Sequence, residues 1–384
     1  MATTLLASND RHGVVPNNTL PLSVEDITPV WLSNCLGVQV SHVEIVRLKH
    51  GGSSTVLVDL TYDSSACTQQ PDTRLRRRLY VKGGFNKAFI AAVPTLMGSY
   101  RREAEFYRHL APTIPIRVPR SIYSSTDQIS GQGIVIMEDL NEDGSTFGAF
   151  LEPWQVPRVK AGVEQLARLH GATWGAGIAD NPGKAKSKYP WLQGENPMRG
   201  IALEMIVPAS VDCVRKNLAS LGEEFLSANP ELLDMERMKN CYHTMWGTED
   251  PKYQCVVHGD AHIANTFLTA DGDPGFLDWQ IIMISSCFHD VAYFVTSTLN
   301  VSDRRQNEES ILSHYLDALH ASGGPRFARE DVWEEYLKRH FHGFLSCTMS
   351  TTQVSQSSEV LSALGLRFAT AIVDHGVVGL LESQ

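Results

Sequence analysis

Residues 257–265 read Val-His-Gly-Asp-Ala-His-Ile-Ala-Asn, and a second polar step, Leu277-Asp278-Trp279-Gln280, follows soon after. Two carboxylates and an amide on loops beside short apolar runs are parts that a phosphoryl transfer needs. Asp260 suits the orientation of an attacking hydroxyl. Asn265 and Asp278 offer hard oxygen donors of the kind Mg²⁺ takes together with phosphate oxygens and water. The remaining part is a cation for the phosphate chain, and Lys82, closing the run Leu79-Tyr80-Val81, can supply it. Glu103 can pair with Lys82 and hold it in place, with Glu105 as the second candidate. The turn Gly51-Gly52-Ser53-Ser54 can offer backbone N–H groups to phosphates, with Gly52 and Ser53 at its centre. The chain contains no Gly-x-x-x-x-Gly-Lys-Ser/Thr loop, which argues against a Walker-type nucleotide site.

Positioning these groups requires a sheet for Lys82 and a separate frame for the loops. Val43–Leu48 and Thr55–Tyr62 read as a strand pair across the Gly-Gly turn, the second with period-2 alternation of Val56, Val58 and Leu60. Leu79–Lys82 is a third strand, and runs near 121–124 and 133–137 are two more. Helical spacing of Glu103, Phe106, Tyr107 and Leu110 predicts a helix over 99–110, stopped by Pro112, Pro115 and Pro119. Beyond Glu138 the pattern turns helical, with Val163, Leu166, Ala167, His170 and Trp174 on one face. A small β island, 255–257, 266–268 and 276–278, interrupts it. The expectation is an α+β chain: a β-rich lobe over 1–138, and a mainly helical lobe over 139–384 carrying the polar loops of 255–280.

At 384 residues the chain exceeds one ordinary compact core. Its net charge of −10 disfavours nucleic acid and anionic membrane as partners. No apolar run is long enough to span a bilayer. Seven dispersed cysteines without a Cys-x-x-Cys pair, and no secretory signal pattern, point to reduced thiols and a cytoplasmic protein. The basic run around Arg74, Arg76, Arg77 and Arg78 reads first as a solvated loop edge.

The order and spacing of these pieces resemble the aminoglycoside phosphotransferase and choline kinase superfamily, and more narrowly its ecdysteroid-kinase-like branch. The likeness is carried by Tyr80-Val81-Lys82, Arg102–Tyr107, Val135–Leu140, Leu166–His170, His258-Gly259-Asp260 through Asn265, Leu277–Gln280 and Asp290–Phe294. It implies a protein-kinase-like bilobal fold, a small antiparallel β lobe with one helix (1–138, nucleotide-binding) plus a larger, mainly helical lobe (139–384, with the catalytic loop of 255–280 and acceptor-binding helices), with ATP between them. It implies Asp260 as catalytic base, Asn265 and Asp278 as Mg²⁺ ligands, Lys82 as phosphate contact and Glu103 as its partner. The backbone of Met137–Leu140, including Glu138 and Leu140, would meet the adenine. The substrate would be a hydroxylated small molecule, and the apolar content of Trp191, Met198, Ile201, Met205 and Ile206 leans toward a hydrophobic alcohol.

His258 and His170 read as structural, and Asp290 as an anchor for the catalytic loop. His262 is equally open to a structural and a site-lining role. Other readings stay open: a kinase fold that only binds ligand, phosphorylation coupled to elimination or cyclisation, and a metal phosphohydrolase. The last would draw on His258, Asp260, His262, His289 and Asp290.

Overall fold

The computed structural model describes residues 19–63, 76–92, 97–176, 189–192, 211–348 and 357–384. Alternating residues make a five-stranded antiparallel sheet of β1 (Val40–His50), β2 (Ser54–Tyr62), β3 (Arg78–Gly83), β4 (Ser121–Thr126) and β5 (Gly133–Glu138), in the order β1-β2-β3-β5-β4. The pleat sends successive side chains to opposite faces. Val56, Val58, Val81, Ile134 and Ile136 therefore form one core with Trp31 of α1 (Pro29–Leu36). Val135 and Met137, one residue out of phase, join the larger core of the helical part.

Between β3 and β4 lie α2 (Lys87–Ala92) and α3 (Met97–Glu105). The helix expected over 99–110 is interrupted: after Glu105 the chain widens into a π-helical turn, Phe106–Leu110. That turn buries Phe106, Tyr107 and Leu110. The backbone of α3 lies directly on β5, where Gly133 makes room for it. A Cβ on Gly133 would stand 2.2 Å from the Tyr100 carbonyl oxygen.

The helical part comprises α4 (Val156–Ala172), α5 (Val211–Asn217), α6 (Gly222–Ala228), α7 (Met235–Gly247), α8 (Phe288–Thr298), α9 (Val301–Ala321), α10 (Arg329–Lys338), α11 (His340–Thr348), α12 (Ser358–Asp374) and α13 (Val377–Glu382). Every residue of α8 is buried, making it the central strut. Two small antiparallel sheets sit against α4. β7 (Gln254–Val257) pairs with β10 (Met283–Ser286), and β8 (Thr266–Leu268) lies between β6 (Thr146–Phe147) and β9 (Pro274–Phe276). The strand expected over 276–278 ends at Phe276, because Asp278 takes a left-handed backbone, φ 60°. The helix that carries the face of Val163, Leu166, Ala167 and His170 starts at Val156, with a proline in its first turn.

Among the described residues no helix is long and apolar enough to cross a membrane, and Cys35, Cys241, Cys255 and Cys287 are not in disulfides. Of the basic run, Arg76 pairs with Glu138, Glu142 and Asp143, and Arg78 with Asp59. Arg74 lies outside the described residues, as do Met198, Ile201, Met205 and Ile206, while Trp191 packs against the main core.

The fit of α3 on β5 yields a stability comparison. Gly133→Ala must push backbone off backbone and is expected to cost roughly 1–3 kcal/mol. Gly247→Ala, with open space at its Cβ, should stay within about 0.5 kcal/mol. Urea unfolding of the two variants measures both, and equal midpoints would refute the tight contact.

Candidate functional site

Lys82 sits on β3 with its side chain on the inner face of the sheet, and it is only 7% exposed. A buried ammonium must be paired. Its Nζ donates to Glu103 Oε1 at 2.9 Å and to Asp278 Oδ1 at 2.9 Å. Burial works against the charge, but Asp278 and Glu103 outweigh it and hold the ammonium above its ordinary pKa. Glu103 Oε1 also accepts the Trp279 backbone N–H at 3.2 Å. The Trp279 ring stacks on Phe106, 3.9 Å between centroids. The helix that supplies Glu103 is thus fastened to the loop that supplies Asp278. Glu105 faces elsewhere, accepting from Thr126 and pairing with His109.

The loop after β7 is held from beneath by Asp290 of α8, which is fully buried. Its Oδ2 accepts the His258 N–H at 2.6 Å and its Oδ1 the Gly259 N–H at 2.9 Å. His170 Nε2 lies 3.1 Å from the same Oδ2, and its Nδ1 meets the Tyr315 hydroxyl. These contacts agree with the anchoring role read for Asp290 and the core role read for His170. His258 braces the loop as expected: its Nε2 meets the Leu277 carbonyl at 2.7 Å and its Nδ1 the Asp260 N–H at 3.2 Å. Gly259 is required, since φ is +84° and a Cβ would come 2.3 Å from the Ile281 carbonyl oxygen.

Held this way, Asp260 points toward Asn265, whose Nδ2 donates to Asp260 Oδ2 at 3.0 Å and to its carbonyl at 2.9 Å. His262 Nε2 lies 3.5 Å from Asp260 Oδ2. Burial raises the Asp260 pKa, but His262 and His258 pull it further the other way, leaving the carboxyl well below its usual range. The Asn265 carbonyl accepts the Leu277 N–H at 2.8 Å, joining the loop to the Asp278 segment.

Lys82, Glu103, Asn265 and Asp278 line one cavity of about 700 Å³, together with Met137, Glu138 and Leu140 from the end of β5. Asp260 is not among the cavity-lining residues and is joined to the cavity wall by its hydrogen bond from Asn265. Glu138 turns its carboxylate to Arg120 at 3.0 Å, so its carboxylate is committed to an arginine. Gly52 and Ser53 are not among the cavity-lining residues. Their turn closes on itself, Gly51 N–H to the Ser53 carbonyl, and is tied by the Tyr100 hydroxyl to the Gly52 carbonyl at 2.6 Å. The cavity wall beside it is made instead by Arg47, Lys49 and Thr55.

A model of the ecdysteroid kinase-like family matches residues 64–323, more than half of the sequence. The chain belongs to the ecdysteroid kinase-like family. Its fold is that of this kinase-like group, an antiparallel sheet lobe with a larger helical part. Solved structures similar to this family member include choline kinase LicA from Streptococcus pneumoniae, at 15% identity over 91% of this chain and 99% of that one, TM-score 0.47. A microcompartment-associated aminopropanol kinase gives 11% identity, 91% and 98%, TM-score 0.47. Plasmodium vivax ethanolamine kinase gives 12%, 87% and 83%, TM-score 0.42. No curated protein matches the sequence.

The phosphohydrolase alternative is not borne out by the ligand atoms of this family member. His258 and His289 spend ring nitrogens on the Leu277 and Gly259 carbonyls, and Asp290 accepts backbone N–H groups. Among the described residues the one convergent set of metal-type ligands is Glu308, His340 and His375, far along the chain. There Arg304 already bonds Glu308 at 2.7 Å, and Tyr336 and both histidines fill the remaining lone pairs.

Behind the loop lies a layer the sequence did not reveal. The His262 ring meets Phe150 and Tyr293, and Tyr293 in turn meets His342, which packs on His289, 4.3 Å between centroids. His342 is far from the motif, in a segment whose helical periodicity alone marks it as core. Burial first, and then neighbouring His289, push the His342 pKa well below its ordinary value; burial also lowers His258 and His289.

Depressed imidazole pKa values set a pH dependence. Above about pH 6.5 native and unfolded imidazoles are both neutral, and the histidine contribution to stability is fully present. As pH falls toward the lowered native values, only the unfolded chain takes up the protons, and stability is lost. Urea midpoints should therefore fall between about pH 7.5 and 5.5, less so in His342→Phe. Equal midpoints at both pH values would contradict the buried, neutral assignment.

Proposed function

We propose that this chain transfers the γ-phosphoryl group of ATP to a hydroxyl of a small molecule. The observation that carries the reading is the Lys82 ammonium bridging Glu103 and Asp278 in a cavity that Asn265 also lines. A fixed cation beside paired oxygen donors suits the charge of a triphosphate, whose transfer depends on positioning and electrostatics rather than covalent chemistry. Residues 1–138 would hold the nucleotide and 139–384 the acceptor, with the backbone near Glu138 and Leu140 meeting the adenine. Gly52 and Ser53, set back from the cavity, would reach phosphates only through their backbone.

Asn265 and Asp278 fit Mg²⁺. The Asn265 amide nitrogen is committed to Asp260, which leaves its oxygen to serve a cation, and Asp278 brings a carboxylate to the same wall. Bound there, Mg²⁺ would offset charge on the phosphate oxygens. Asp260, ionised and steadied by Asn265 and His262, would orient the acceptor hydroxyl and take its proton. The family's description makes a steroid-like alcohol the first acceptor to try, in line with the hydrophobic lean of the sequence.

Thermal stabilisation by Mg-ATP, followed by turnover on hydroxylated compounds, tests the reading. Asp260→Asn should keep the Mg-ATP stabilisation and lose roughly 10²–10⁴-fold in turnover. Unchanged turnover would remove Asp260 from the chemistry. Asp278→Ala should lose the magnesium-dependent part of the stabilisation, and a shift equal to wild type would take Asp278 away from the metal.

A further inference from the structure

β1 is an edge strand. The sheet order β1-β2-β3-β5-β4 puts β2 on one side of it, and among the described residues no strand lies on the other. It is 11 residues long and presents a row of backbone N–H and C=O groups of the kind that takes up another chain. Its side chains are exposed from Glu44 to His50, Ile45 and Val46 by 44% each and Leu48 by 42%.

The strand alternates irregularly. Ile45 pairs with Val58 and Arg47 with Leu57, which leaves Val46 as an extra residue. Val58 belongs to the core shared with Trp31, so Ile45 stands on that outer face, as Val43 and Leu48 do opposite Leu60 and Val56. Arg47 and Lys49 line the cavity and stand on the inner face. Val46, next to Arg47, therefore shares the outer face with Ile45. Such a bulge guards an edge against chance pairing, because an ordinary strand falls out of step with it halfway along. A second copy of β1, antiparallel about a two-fold axis through the bulge, carries the same irregularity in reverse and stays in step. Ile45 then faces Val46 and Val43 faces Leu48 on the outer face, while Glu44 faces Arg47 and His42 faces Lys49 on the inner.

The charges favour the same arrangement. Glu44 stands opposite Asp59, whose two carboxylate oxygens are taken by Arg78. Like charges opposite each other on a sheet repel, and Glu44 has no ion pair among the described residues. Arg47 donates to the Tyr80 hydroxyl and likewise has no acidic partner among them. Two-fold pairing brings each of these charges its opposite.

We propose that β1 is the contact by which two copies of this chain associate, joining their five-stranded sheets edge to edge. Ile45 and Val46 of both copies meet at the centre, with two Glu44–Arg47 ion pairs beside them, as an isologous interface requires. Because Arg47 lines the cavity, each copy brings its Glu44 to the rim of the other's cavity. The inference draws on strand register and charge alone and stands apart from the phosphotransfer reading.

Sedimentation velocity on the full chain, over about 1–100 µM, measures the association. The wild type should dimerise as concentration rises. Glu44→Arg and Arg47→Glu, both at exposed positions, should each weaken the dimer about tenfold or more, since two attractive pairs become repulsive. Mixing these two variants should restore association, because one then carries only positive and the other only negative charge at the paired positions. Val46→Lys, at a residue with no partner on β2, should weaken the dimer while leaving the urea midpoint unchanged. A wild type that stays monomeric, a dimer indifferent to both charge reversals, or variants that fail to associate on mixing overturns the inference.

Discussion

A single ammonium group, buried and shared by two carboxylates, organises the molecule. Burying Lys82 would be prohibitively costly without partners, and each partner comes from a different element: Glu103 from α3 and Asp278 from the loop after β9. The pairing can form only when sheet, helix and loop arrive together. The surrounding contacts ensure that they do. Gly133 lets α3 lie on the sheet, Phe106 stacks on Trp279, and the Trp279 N–H completes the coordination of Glu103. Breaking one partner of such a buried pair generally costs far more than the pair's net contribution to stability, so its retention favours a role in function.

A second constraint acts on the other side of the cavity. The loop from His258 to Asn265 has almost no regular structure, yet its backbone groups are accounted for. Asp290 takes two N–H groups, His258 takes a third, and Leu277 bonds the Asn265 carbonyl. Gly259 and the left-handed Asp278 let the two loops approach to contact distance. Strain at Asp278, of the kind tolerated where surrounding structure over-determines a residue, is the local counterpart of the charge on Lys82.

Much of this was legible in the sequence because each group has a local signature. Lys82 closes an apolar strand, Glu103 sits at helical spacing from Phe106 and Tyr107, and Asp260 and Asn265 share one short motif. The structure brings Lys82, Glu103, Asn265 and Asp278 to one cavity, with Asp260 hydrogen-bonded to Asn265. What was hidden depends on geometry that spacing does not encode. The π-helical turn at Phe106–Leu110 has no signature in the helical spacing, and Asp278 leaves the strand pattern where it meets the buried Lys82. Gly52 and Ser53 read as a phosphate turn, but glycine content cannot say what a turn lines, and here Arg47, Lys49 and Thr55 line the cavity beside it. His342 joins the layer behind the loop only through tertiary packing. Arg47 and Lys49 come to the cavity wall through register, which emerges once β1, β2 and β3 are paired.

The central claim is that Lys82 and Glu103 act on the nucleotide as one unit. A double-mutant cycle of Lys82→Met and Glu103→Gln, read by equilibrium titration with Mg-ATP, addresses it directly. Each single substitution should weaken binding, and the double variant should bind no worse than Lys82→Met alone, because Glu103 has nothing left to hold. Losses that simply add would mean that the two residues serve the nucleotide independently, and the account would fail.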